Sequence, residues 1–181
     1  MTKTILTVFL LASPLMAQQD QAAAAFAAAG CGQNEVQFDV KTDKKQHPLP
    51  QPAPGKAMVY VLEEDFAAFC IGGCITTRVG VDGAWVGANQ GKSYLFFIVD
   101  PGDHRVCTAW QSSLKGRSQV SAAISLTAEA GKSYYFRTFV FNGALKLKQV
   151  DSANGPLLIL SSALSTSQPK QPAVTKNPDS D

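Results

Sequence analysis

The chain has 181 residues, of which 45% are hydrophobic and 17% charged, the size of one ordinary domain with enough apolar material for a real core. Its formal net charge is +2, and Lys3 falls in a segment expected to be removed. The mature protein is therefore near neutral, and its charge balance does not mark a binder of nucleic acid or anionic membrane.

The N-terminus has the layout of a secretory signal over residues 1–17: Lys3, a short apolar run from Ile5 to Ala12, and a small residue at Ala17. The run is too short to span a bilayer, and no later stretch approaches a span, so no transmembrane segment is expected in the mature chain. Ala28-Ala29-Gly30-Cys31 also resembles a lipoprotein cleavage box, which would make Cys31 a lipidated first residue. Asp20 and several glutamines interrupt the apolar region such a signal needs, which weighs against lipid anchoring. Residues 18–53 read as a leader, an N-terminal strand with alternating Val36, Phe38 and Val40, and a connector carrying Pro48, Pro50, Pro52 and Pro54.

Residues 54–164 read as a series of strands. Met58 to Leu62 is apolar, and Ile75, Thr77, Val79 and Val81 share a face. Asp82-Gly83 signals a hairpin before Ala84-Trp85-Val86. Tyr94 to Val99 is apolar on both faces, as in a central strand. Asp100-Pro101-Gly102-Asp103 is a turn before the strand from His104 to Trp110. Val120, Ala122, Ile124, Leu126 and Ala128 alternate with mostly polar neighbours. Ser133 to Phe141 is the most aromatic stretch, Asn142-Gly143 is a second hairpin turn, and Leu145 and Leu147 alternate with Lys146 and Lys148. Strands at this spacing predict an all-β fold, an antiparallel β-sandwich. Gly155 to Leu164 suits a short C-terminal helix or one more strand. From Ser165 to Asp181 the composition predicts a disordered tail.

Four motifs occur together: Pro54-Gly55-Lys56-Ala57 entering Val59-Tyr60-Val61; Val81-Asp82-Gly83 with Val86-Gly87; Pro101-Gly102-Asp103-His104; and Ala130-Gly131-Lys132 with Tyr134-Tyr135-Phe136. Over residues 54–150 this resembles a bacterial family of exported domains of unknown function, and its middle is similar to PEGA-type surface modules. The resemblance implies a β-sandwich in the cell envelope and supplies no catalytic residues.

Cys31, Cys70, Cys74 and Cys107 are an even set in a chain expected to reach an oxidising compartment, so two disulfides are expected. Three connectivities are open. Alternation puts Cys74 and Cys107 on the faces of Arg78 and Arg105, which makes Cys74–Cys107 with Cys31–Cys70 sterically reasonable. A zinc site from Cys70, Cys74, Cys107 and His104 is disfavoured, because His104 and Cys107 are three apart on a strand and point to opposite faces. No cofactor is expected: neither a phosphate loop nor a dinucleotide fingerprint is present. There is no Gly-x-Ser-x-Gly elbow, and Asp100 and Asp103 beside His104 read as turn formers, so no catalytic residue is assigned. Glu63-Glu64-Asp65 reads as a solvated strand end rather than a calcium loop.

The aromatics are expected mainly in the core. The Gly-rich segment from Asp82 to Tyr94 is the best candidate for recognition, with Trp85, Asn89 and Tyr94 as its binding residues. The sequence therefore predicts a non-enzymatic binding or structural module of the bacterial envelope, periplasmic or secreted. Its partner would be an envelope protein, peptide or glycan. The alternatives are a small extracytoplasmic hydrolase using His104, or an assembly factor lipid-anchored through Cys31.

Overall fold

The computed structural model describes residues 32, 36–64, 75–111 and 120–170. Ten strands and one helix follow in order: β1 (Phe38–Asp43), β2 (Ala57–Glu63), β3 (Thr76–Val81), β4 (Ala84–Gln90), β5 (Ser93–Val99), β6 (Gly102–Trp110), β7 (Ser121–Ala128), β8 (Ser133–Phe141), β9 (Ala144–Val150), α1 (Gly155–Leu160) and β10 (Ala163–Pro169). A six-stranded sheet, β1-β10-β5-β2-β8-β9, packs on a four-stranded sheet, β4-β3-β6-β7. Asp82-Gly83 (φ 51 and 83) and Asn142-Gly143 (φ 51 and 74) adopt the left-handed conformations a tight hairpin demands. The turns at Asp100–Gly102 and Glu129–Lys132 instead carry the chain from one sheet to the other.

Most neighbours are antiparallel, as expected, but β2 pairs β8 and β5 pairs β10 in parallel. The cause is topological. Between β2 and β8 the chain visits the second sheet twice, so β8 returns beside β2 running the same way.

Alternation along β2 feeds two cores. Val59 and Val61 join Val79, Val106, Leu126 and Phe136 between the sheets. Met58, Tyr60 and Leu62 face the other way and join Tyr94, Tyr135 and Ile159 of α1. This second core is roofed by the proline-rich segment. Tyr60 Oη donates to Pro50 O at 2.8 Å and Tyr94 Oη to Pro48 O at 3.1 Å, while Leu49 packs beneath. Tyrosine hydroxyls thus satisfy carbonyls that a proline-rich chain cannot pair in a ladder.

The N-terminal strand read from Val36, Phe38 and Val40 is β1, and it joins the six-stranded sheet. Ser165 to Pro169 is not tail but most of β10, paired antiparallel with β1 from Leu164↔Asp43 to Pro169↔Phe38. Gly155 to Leu164 holds both predicted alternatives in succession, a one-turn-and-a-half helix and the start of a strand. The signal segment, the Ala-rich leader, Cys31, Cys70, Cys74, Asp65 and residues 171–181 lie outside the described residues. Among the described residues no helix is long and apolar enough to cross a membrane.

Candidate binding face

His104 is the third residue of β6 and is locked by two turns. Its Nδ1 is 2.6 Å from Asp82 Oδ2 and its Nε2 is 2.7 Å from Asp100 O. Both partners are acceptors, so this geometry favours the imidazolium, with a hydrogen on each ring nitrogen. The Asp82 hydrogen bond, aided by Asp100, raises the His104 pKa against the opposing effect of burial. Burial alone would raise Asp82, but the His104 bond and the Arg105 N–H at 2.8 Å outweigh it and hold Asp82 below its ordinary value. An imidazolium with both hydrogens committed has no lone pair for general-base work. The Asp82-Gly83 and Pro101-Gly102-Asp103-His104 motifs therefore meet in space, and the histidine staples one turn to the other.

The candidate recognition residues do not form one surface. The segment from Asp82 to Tyr94 runs from the hairpin turn through β4 into β5 of the other sheet, so its side chains are spread over different faces instead of crowning a loop. Asn89 is buried and donates through Nδ2 to Val61 O at 2.9 Å in the inner core. Tyr94 is buried in the outer core. Trp85 is half-buried on the outer face of the four-stranded sheet, with the Arg78 guanidinium 4.4 Å from its ring centroid and Gly32 in close contact. Arg78 is itself buried, and its Nη1 donates to Val36 O at 2.9 Å. Trp85 and Arg78 thus seat the N-terminal segment, leaving a cleft of about 440 Å³ beside Trp85, Val86 and Pro169. Cys107 is buried on β6 and is not a free thiol. Among the described residues no cluster of His, Cys, Asp or Glu could hold a metal ion.

Glu63 corrects a sequence expectation. It ends β2 on the inner face after Val59 and Val61, and is 1% exposed rather than solvated. Thr77 Oγ1 donates to its Oε1 at 3.0 Å, while Oε2 has no partner. Burial pushes its pKa well above the usual carboxylate range, against the Thr77 bond. Thr138 Oγ1, opposite Glu63 on β8, and Asn89 Oδ1, opposite Thr77 on β4 of the facing sheet, are also buried without partners. The alternation of Ala57, Val59, Val61 and Glu63 was the available signal, since it runs the core face straight into a carboxyl.

An open face remains on the six-stranded sheet. Along β8, Tyr134, Phe136 and Thr138 point inward, so Tyr135, Arg137, Phe139 and Phe141 point outward. The proline-rich roof and α1 cover Tyr135. Beyond it Phe141 is 60% exposed. Register sets Lys148 opposite Arg137 and Lys146 opposite Phe139, and both lysines are exposed. Arg137 sits 5.0 Å from the Phe139 centroid and donates through Nη1 to Glu64 at 2.8 Å. On adjoining α1, Leu157 is 63% and Leu160 57% exposed. Two clefts, of about 370 and 380 Å³, flank Arg137 and Leu158 and reach Lys92 on one side and Lys148 on the other. The chain was compared with protein-family models, curated proteins and solved structures. None of the three gives a match. The face rests on its geometry alone. The alternation of Leu145 and Leu147 with Lys146 and Lys148 foreshadowed its cationic half. Its aromatic half emerges only once β8 and β9 are in register.

Proposed function

We propose that the chain is an exported, non-enzymatic binding or structural module of the bacterial cell envelope, working through the open face of β8, β9 and α1. The observation that carries this reading is the face itself: large apolar side chains left in solvent and interleaved with cations. The N-terminal signal layout and the resemblance to PEGA-type modules support the compartment. Cys107, which is not free, supports a disulfide framework suited to it. The alternative hydrolase loses support because both His104 nitrogens serve the turn staple.

The test is cosedimentation of the mature chain with isolated envelope fragments. Binding lost in a Phe141→Ser, Leu157→Ser variant that keeps its melting temperature, and kept in His104→Ala, is the expected outcome. Binding indifferent to the face, or a hydrolytic activity abolished by His104→Ala, would overturn the proposal. Intact mass of the same material reports the mature start, expected near Gln18, and any lipid on Cys31.

A further inference from the structure

We infer that the β8–β9–α1 face docks on an anionic lipid surface, with Leu157, Leu160 and Phe141 entering the headgroup region and Lys146 and Lys148 meeting the lipid charge. This rests on the reading of the chain as an envelope module and names what that module touches.

The form of the face selects a lipid over a folded partner. Protein hot spots are anchors that fill pockets, whereas here the apolar groups protrude from a sheet face and a short helix. Leu157 and Leu160 are three apart and lie on one side of α1. Protruding leucine and phenylalanine beside lysine is the composition of an interfacial attachment: the apolar groups enter the acyl boundary and the cations stay at headgroup level. Local charge agrees. Lys146, Lys148 and Lys92 make no ion pair among the described residues, Glu64 is neutralised by Arg137, and Asp151, hydrogen-bonded to the neutral Asn154 amide, keeps its charge. Unpaired lysines thus outnumber the unpaired carboxylate where the apolar groups are bare.

The experiment is vesicle cosedimentation of the full mature chain. One set of vesicles is phosphatidylcholine; the other replaces about a third of it with phosphatidylglycerol, enough for a negative surface potential. Binding to the anionic set only, weakened by salt, is expected. The pair Lys146→Glu, Lys148→Glu and the pair Leu157→Ser, Leu160→Ser should each weaken it by about tenfold or more. All four positions are exposed, and thermal melts confirm that the variants fold. Equal binding to both vesicle sets, or variants that bind like wild type, would overturn the inference. If neither vesicle set binds while envelope fragments do so through this face, the partner is a protein or glycan: the lipid inference falls and the module reading stands. If neither vesicles nor fragments bind, both fall.

Discussion

At Glu63 the inner core closes on a carboxyl rather than a methyl group, and the physics of that choice can be measured. Its folded pKa lies above the ordinary 4.5, so the unfolded chain releases the proton first. The stability Glu63 allows is then complete below the ordinary value and declines as pH rises through the raised one. Glu63→Gln keeps the shape, removes the charge and supplies an amide donor near the partnerless oxygens of Asn89 and Thr138. We expect it to stabilise the fold at pH 8 by about 1–2 kcal/mol and to be near neutral at pH 4, as urea titrations at the two pH values would read. His104 gives a second pH dependence. Its raised pKa makes the staple fully stabilising below 6.5, and that contribution is lost as pH rises through the folded value. His104→Ala should therefore cost most near pH 5.5 and least in alkaline buffer. Asp82 is half exposed, so solvent screening holds the cost to about 1 kcal/mol. A penalty that grows with pH would contradict the imidazolium assignment.

Elements that turn chemistry dictates were legible before any coordinates. Asp82-Gly83 and Asn142-Gly143 need φ above zero at two successive residues, and a hairpin is what satisfies them. Strand β10 was not legible, because Ser165, Ser167 and Gln168 bury little apolar surface. Its order comes from pairing with β1 and from serines: Ser165 Oγ donates to Ala88 O and Ser167 Oγ accepts from Ala88 N. Composition reports what a strand can bury, not what it can pair. The proline-rich roof was opaque for a related reason, since its hydrogen bonds come from tyrosine side chains of β2 and β5 rather than from a ladder. Helix α1 owes its place to one missing side chain. A Cβ on Gly155 would overlap the Tyr135 ring, which is stacked 4.9 Å from Tyr60 and has nowhere to retreat. Gly155→Ala should cost about 2–3 kcal/mol, read as a lowered denaturation midpoint. A midpoint unchanged from wild type would mean that α1 is not seated on Tyr135.

Over the whole molecule, the sandwich follows from strand patterning, while the candidate face required register between β8 and β9, which no local pattern contains. The cysteines span Cys31 to Cys107, so bridges between them would close long loops in the unfolded chain. Each would be worth about 2–4 kcal/mol. Thermal melts with and without reductant should differ accordingly, and coincident melts with four titratable thiols would remove the disulfide framework.

The pairing of β1 with β10 joins the first strand of the sandwich to the last: Phe38 lies directly across from Pro169, and Lys170 N donates to Gln37 O at 2.7 Å. The order in which the polypeptide is threaded is therefore not an essential property of this architecture. A circular permutant that links residue 170 to residue 36 through a short Gly-Ser bridge, and begins anew between Asn142 and Gly143, keeps every strand neighbour except the severed hairpin loop. Such a permutant should fold to the same far-ultraviolet spectrum with a modestly lower melting temperature. It would also present new ends at the tip beside Phe141, so a fusion partner placed there would sterically shield the open face without altering any residue on it.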